Sequence, residues 1–435
     1  MIQTIEGMKV RKITKDIIYI VIMTAMLFAH TPWAKAQRHE ILNDRIQSLQ
    51  VIADDDFTAL PIIELGHGRI DIDFDDMTHE YRRYAYRIEH CEANWTTSNE
   101  LFESEYVSGF ARGNTIDDVE ESLLTNTLYT HYHMSIPNDR CRLKMSGNYK
   151  LTVYDDNDNE KPVFTACFMV AEPKGRQMGV GLNITTNTDL SINREHQQVA
   201  MQLTYGNHYR VTNPQEQIKT VVMQNYRWDD ARWNTKPQYV NVDGLAWSHN
   251  RDLIFQAGNE FRKFEILSTD VASMGVNRID WDGSQFHAYL FTDEPRPNYL
   301  YDEDANGAFL IRNSDNVAIH NESDYMMVHF QMKSPQRNDG DIYVSGTWTN
   351  NRLLPRYKME YNEETQSYET VVLLKLGYYS YQYLMVRNDG TTINLPTEGN
   401  YFQTENQYHA LVYYREPGGR TDLLVGYGDL DFVAR

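Results

Sequence analysis

Hydrophobic and polar residues alternate with period two wherever the chain has a clear pattern. Ile70, Ile72 and Phe74 alternate with Asp71, Asp73 and Asp75, which predicts a strand with one buried face and one strongly acidic face. Tyr84, Tyr86 and Ile88 continue the pattern after a short break. Phe164, Ala166, Phe168 and Val170 repeat it, as do Val199, Met201, Leu203 and Tyr205, then Tyr379, Tyr381, Tyr383 and Met385. Asp243-Gly244, Asp282-Gly283, Asn306-Gly307 and Asp389-Gly390 separate such runs and suit the positive φ of hairpin turns. No long amphipathic helical repeat interrupts them. Many short strands between tight turns predict an all-β chain of tandem β-sandwich domains, immunoglobulin-like or early-set in type.

Breaks in the pattern divide 435 residues into units of ordinary sandwich size. Ala171-Glu172-Pro173-Lys174-Gly175 reads as one linker, and the polar stretch from Asn313 to Ser323 as another. The expected domains are 38–172, 176–312 and 322–435. Residues 1–36 stand apart as a signal peptide. Lys9, Arg11, Lys12 and Lys15 form its basic region, and Ile17 to Ala29 its short apolar region. Ala34-Lys35-Ala36 supplies the cleavage site before Gln37, with Met8 an alternative start. No later apolar run is long enough to span a membrane.

The formal charge of −20 includes that leader. Its removal takes away five Lys/Arg and two Asp/Glu and leaves about −23. So acidic a surface argues against nucleic acid, or an anionic membrane, as the main partner. Three cysteines, Cys91, Cys141 and Cys167, are an odd number, so at least one thiol has no partner within the chain. A hairpin centred on Asp156-Asn157-Asp158-Asn159 would bring Cys167 opposite Asn148, away from Cys141. Buried thiols are the expected state.

Candidate chemistry adds little. Asp155-Asp156-Asn157-Asp158-Asn159-Glu160 is rich in oxygen ligands, but the glycine and distal glutamate of a calcium loop are missing, and a solvated turn is expected. His131 and His133 share one face of a likely strand position pattern of period two, with His90 the nearest third histidine. A zinc site needs a third ligand, and structural, hydrogen-bonded histidines are the expectation. His39-Glu40 and His79-Glu80 lack the second histidine of a metalloprotease helix. The chain has no nucleophile elbow, P-loop or dinucleotide fingerprint. A non-enzymatic protein is therefore expected, with no catalytic, cofactor-binding or metal residues assigned. Trp228 and Trp233, in Tyr226-Arg227-Trp228-Asp229-Asp230-Ala231-Arg232-Trp233, are the binding candidates, as stacking surfaces for a sugar or anchors for a partner.

Two resemblances sharpen this picture. Ile342-Tyr343-Val344-Ser345-Gly346-Thr347-Trp348, Met359-Glu360-Tyr361-Asn362 and the run from Leu373 to Tyr383 resemble the early-set sandwich of glycogen-binding modules. Asn350-Asn351-Arg352-Leu353 lacks the tryptophan of their glucan platform. The wider resemblance rests on an ordered set. It comprises Phe74-Asp75-Asp76, His90-Cys91-Glu92-Ala93-Asn94-Trp95, Glu105-Tyr106-Val107-Ser108-Gly109-Phe110, Asn126-Thr127-Leu128-Tyr129-Thr130-His131-Tyr132, Ile136-Pro137-Asn138, Ser146-Gly147-Asn148-Tyr149, Gln224-Asn225, Gly258-Asn259-Glu260-Phe261-Arg262 and Leu374-Lys375-Leu376-Gly377-Tyr378-Tyr379. In that order they resemble the type IX secretion system plug protein family of Bacteroidetes. Leu376 and Ser380 depart from its pattern, which has Gln and Asn there. The resemblance implies a periplasmic gating subunit on the inner face of the outer membrane, which closes the giant translocon barrel when no cargo is engaged. Its partners would be that barrel and its shuttle and accessory subunits. An exported glycan-binding sandwich protein of a surface or periplasmic uptake system is the alternative; an exported hydrolase would need paired carboxylates across a cleft.

Overall fold

A computed structural model describes residues 39–190, 194–314 and 319–433, and the expected signal peptide 1–36 lies outside them. The regular secondary structure of the described chain is nearly all strand, as the alternation predicts.

The first sandwich faces two sheets across one core. One sheet runs Ile46–Ala53, Ile70–Asp76, Thr130–Ile136, Asp118–Glu121. The other runs Glu40–Ile41, Lys161–Ala171, Gly147–Asp155, Tyr84–Cys91, Arg112–Thr115. Ile70, Ile72 and Phe74 point inward and are fully buried. The Phe74 ring stacks on Tyr132 at 5.1 Å and meets Phe164 edge-on at 4.7 Å. Period two delivers this face directly, because every second side chain of a strand lies on one side of the sheet.

A second core joins Gly179–Thr185, His196–Thr204 and Gly244–Trp247 to a facing sheet of Arg232–Trp233, Ile218–Gln224, Asn406–Tyr414 and Leu423–Phe432. Val199, Met201, Leu203 and Trp247 pack against Val222, Tyr408, Ala410 and Val412. A third core collects Arg262–Ile266, Val276–Trp281 and Phe286–Leu290 with the strands from Tyr325–Lys333 to Thr392–Asn394. Phe264, Phe330, Trp348, Tyr379 and Tyr381 fill it.

Sheet pairing thus crosses the expected boundaries 176–312 and 322–435. Residues 406–432 return to the second core: Ile218 pairs with Tyr414, and Gln224 with Tyr408. Residues 262–311 belong to the third core, where Phe264 and Phe309 both pair with Tyr379. Alternation marks a segment as a strand but carries no label for the sheet it joins. The expected first linker is equally engaged, since Glu172 and Met178 donate backbone N–H groups to Leu424 (2.9 Å) and Val425 (2.7 Å).

Register explains the cysteines. Cys167 lies opposite Lys150, and Met169 takes the place expected for it opposite Asn148. Part of the offset comes from the register shift between Val153 and Tyr154. Cys91 and Cys141 are buried thiols, and burial pushes them up to about 12 and about 11. Cys167 is buried too. At the tip of the same hairpin the acidic cluster takes arginines: Asp155 pairs with Arg45 at 2.9 Å and Asp156 with Arg83 at 3.1 Å. Gly147, with φ +140°, opens this strand where an added Cβ would stand 2.3 Å from His90 Nε2.

The returning strands generate a prediction. A chain ended at residue 400 should lose the second core, becoming protease-sensitive across residues 179–256 by limited proteolysis and mass spectrometry. Retained resistance there would contradict the pairing described.

Candidate functional site

The second face of the strand Ile70–Asp76 is where the structure departs most from its sequence pattern. Asp71 and Asp73 are only 7% exposed and Asp75 only 1%, so the acidic face is as buried as the apolar one. Burial of carboxylates is costly unless each gains charged or hydrogen-bonding partners. The neighbouring strand supplies the first set, because its register places Ser135, His133 and His131 opposite Asp71, Asp73 and Asp75. Ser135 donates to Asp71 at 2.6 Å, His133 Nδ1 lies 2.8 Å from Asp73, and His131 Nδ1 lies 2.7 Å from Asp75. Arg69 Nε adds a second partner to Asp71 at 2.7 Å.

The third core supplies the rest. Lys375 ends the strand Ser367–Lys375 and reaches Asp75 Oδ2 at 2.6 Å, with its side chain 2% exposed. Tyr325 donates to the same oxygen at 2.6 Å. The Lys375 ammonium also donates to the His320 carbonyl at 2.7 Å and sits 4.1 Å from the Tyr129 ring centre. Tyr129 donates to Ser323 at 2.8 Å, and Asp324 accepts from the Asn126 and Thr127 backbones at 2.6 and 2.9 Å. Burial alone would raise the Asp75 carboxyl, but Lys375 and His131 outweigh it and hold the group below the usual carboxylate range. A continuous polar seam therefore ties the first sandwich to the third core.

A second seam ties the first sandwich to the second core. Asp422, 1% exposed, lies 2.7 Å from Lys219 Nζ and 2.8 Å from Arg415 Nε, and accepts from the Ala93 backbone at 3.1 Å. Arg415 continues to Glu92 at 2.5 Å. Beside it, Tyr413 donates to the buried Asn148 side chain at 2.8 Å. Asn148 thus sits inside an interface as well as next to a strand start.

The binding candidates divide. Trp228 is 6% exposed and meets Trp95 edge-on at 5.5 Å, so it joins two cores and offers no open face. Trp233 lies 5.9 Å from Trp228 and is half-buried. The loop matching the glucan platform is also taken up internally, with Arg352 on Glu40 at 2.8 Å and Asn351 on the Tyr226 carbonyl at 3.4 Å. His90 is buried and spent on Ser98 and Ser146. The third histidine near His131 and His133 is His320, which stacks on His131 at 4.9 Å. Nothing local in the sequence links residues so far apart.

A cleft of about 740 Å³ opens where all three cores meet, lined by Thr58, Tyr226, Lys263, Tyr301, Asp304 and Gln407 among others. Burial pushes the Asp304 carboxyl up to about 7. The cleft brings together no residue assigned from sequence.

Residues 46–172, the first sandwich, match the family described as Type 9 secretion system plug protein 1st domain. The chain is also similar to a crystal structure of a hypothetical protein from Parabacteroides merdae. Identity is 39% with a TM-score of 0.86, covering 91% of this chain and 99% of that one. No curated protein matches. No helix among the described residues is long and apolar enough to cross a membrane.

Two outcomes are expected. Lys375→Met leaves Asp75 buried without its cation and should cost about 3–5 kcal/mol in denaturant unfolding, whereas an unchanged midpoint would remove the seam's energetic role. Asp304 binds its proton more tightly folded than unfolded, so its contribution to stability falls as pH rises from about 4 to about 7. The slope should be up to about 1.4 kcal/mol per pH unit, and Asp304→Asn should flatten it in thermal melts across that range.

Proposed function

The chain belongs to the type IX secretion plug family, and from that premise we propose that it is a steric gate of the secretion translocon. It would rest against the periplasmic opening of the giant outer-membrane barrel when no cargo is engaged. It would dock reversibly and catalyse nothing. Its partners would be the barrel itself and the shuttle and accessory subunits of the same assembly.

The observation that carries this reading beyond family membership is the pair of buried ionic seams. A barrel that passes folded cargo has a pore wide enough to admit a single sandwich. A stopper made of loosely linked sandwiches could yield or thread. The Lys375–Asp75 contact and the Asp422 cluster instead tie the first sandwich to both other cores through groups that are costly to separate. Interleaved topology adds to this, because residues 406–432 complete a core begun more than two hundred residues earlier. Bulk and shape then do the work of closure. Release follows if cargo shifts the barrel to a state with lower affinity for the gate, since a partner moves an equilibrium only by its differential affinity for the two states.

The burial of Trp228 weighs against the glycan-binding alternative. Deleting the gene should make the outer membrane permeable to a large antibiotic that normally fails to cross it. Removing the barrel as well should restore the seal. An unaltered barrier in the single deletion, with the barrel assembled, would refute the gating role.

A further inference from the structure

We propose that Asp73, His131 and His320 bind a divalent transition-metal ion, with zinc the best match, as a clamp across the seam between the first sandwich and the third core. One donor atom from each residue lies within 4.8 Å of the other two. Asp73 Oδ1 is 3.3 Å from His131 Nε2 and 3.9 Å from His320 Nδ1. Zinc bonds of about 2.0–2.1 Å at tetrahedral angles set neighbouring donors roughly 3.3 Å apart. The first distance already fits; the second, and the His131–His320 separation of at most 4.8 Å, close if the exposed His320 side chain moves inward.

The state of His131 is the independent observation. Its side chain is 93% buried, and its Nε2, 3.3 Å from Asp73 Oδ1, makes no well-aligned hydrogen bond. Its Nδ1 faces Asp75 Oδ1 at 2.7 Å. A proton on Nδ1 donated to that carboxylate leaves Nε2 with a lone pair beside the Asp73 carboxylate, off the direct line to its oxygen. A histidine ligand is oriented by a carboxylate on its other nitrogen in many metal sites. Here that carboxylate is itself fixed by Lys375 and Tyr325. His133 Nδ1, at 2.8 Å from the Asp73 oxygen, would act as a further outer partner by holding the ligand carboxylate in place.

Two imidazoles and one carboxylate suit zinc and disfavour magnesium or calcium, which take oxygen donors. The charge balance also favours a cation: the three carboxylates Asp71, Asp73 and Asp75 outnumber the two cations paired with them, Arg69 on Asp71 and Lys375 on Asp75. His320 has a side chain 61% exposed, so the fourth position opens to water. Asp73 and His131 come from the first sandwich, and His320 from the short helix Ile319–Glu322 that leads into the third core. An ion bound there joins the two bodies directly. This assignment stands on the ligand geometry and is independent of the gating role.

The test uses the full mature chain, stripped with a chelator and titrated with zinc chloride alone by calorimetry and by thermal melting. One zinc per chain is expected, with a rise in melting temperature on binding. His320→Ala, an exposed substitution, should leave the metal-free melting temperature within a degree or two of the parent. It should weaken zinc binding by at least about tenfold and abolish the zinc-dependent rise. Asp73→Asn should weaken binding similarly. No stoichiometric zinc uptake by the parent would overturn the proposal. So would equal affinity in the His320 variant, or a preference for calcium or magnesium. Membrane leakage is not part of this readout, so the two proposals fail separately.

Discussion

Three aspartates on one strand, buried on the face opposite their apolar neighbours, set the terms for the rest of the molecule. Asp71, Asp73 and Asp75 cannot leave water without charged or hydrogen-bonding partners, and the cost of leaving them bare exceeds the margin by which a domain is stable. Apart from Arg69 beside Asp71, their partners come from two places. The adjacent strand offers His131, His133 and Ser135 in register, and the third core offers Lys375 and Tyr325 from two hundred and fifty or more residues away. The second set makes the first sandwich dependent on the third core. The polar seam is thus a specificity device: a displaced docking would strand charges, whereas an apolar seam would tolerate sliding.

Much of the strand structure was legible in the sequence. Ile70, Ile72 and Phe74, Val199, Met201 and Leu203, and Tyr379, Tyr381 and Tyr383 all face cores, because side-chain alternation is a local property. Burial of both faces was harder to see. Phe164, Ala166, Phe168 and Val170 form the expected inner face, but Cys167 and Met169 on the other face are also buried, with Leu423–Phe432 packed nearby. Aspartates at alternate positions carried an ordinary expectation of solvent. The partners Ser135, His133 and His131 on the next strand, with Arg69 on Asp71 and the distant Lys375 and Tyr325 on Asp75, reverse it.

Domain organisation was less legible for the same reason. The run Tyr408, Ala410, Val412 is as good a strand pattern as any in the third core, and nothing within it names Ile218–Gln224 as its partner. The candidate site followed suit. His131 and His133 were recognisable as a pair on one face, but their natural third member is His320, brought in by tertiary packing. Trp228 is a binding candidate in sequence, set among charged residues. Those charges are satisfied locally, as Arg227 on Asp229 shows, while the indole turns inward to Trp95. Family membership, by contrast, rested on the order of short motifs, and those motifs lie mainly in the sandwich that the plug-domain family covers.

For a gate, the consequence of this construction is mechanical. Each core alone would be an ordinary sandwich; joined through buried charges and a returning pair of strands, they resist separation at the joints where a multidomain chain usually yields. The three cores then behave as one body. Native-state hydrogen exchange read by mass spectrometry tests this at the strands Ile70–Asp76 and Ser367–Lys375, which lie on either side of the seam. Their amides should share one high opening free energy and lose protection together as denaturant rises. Early, independent opening of either strand while the other stays protected would contradict it.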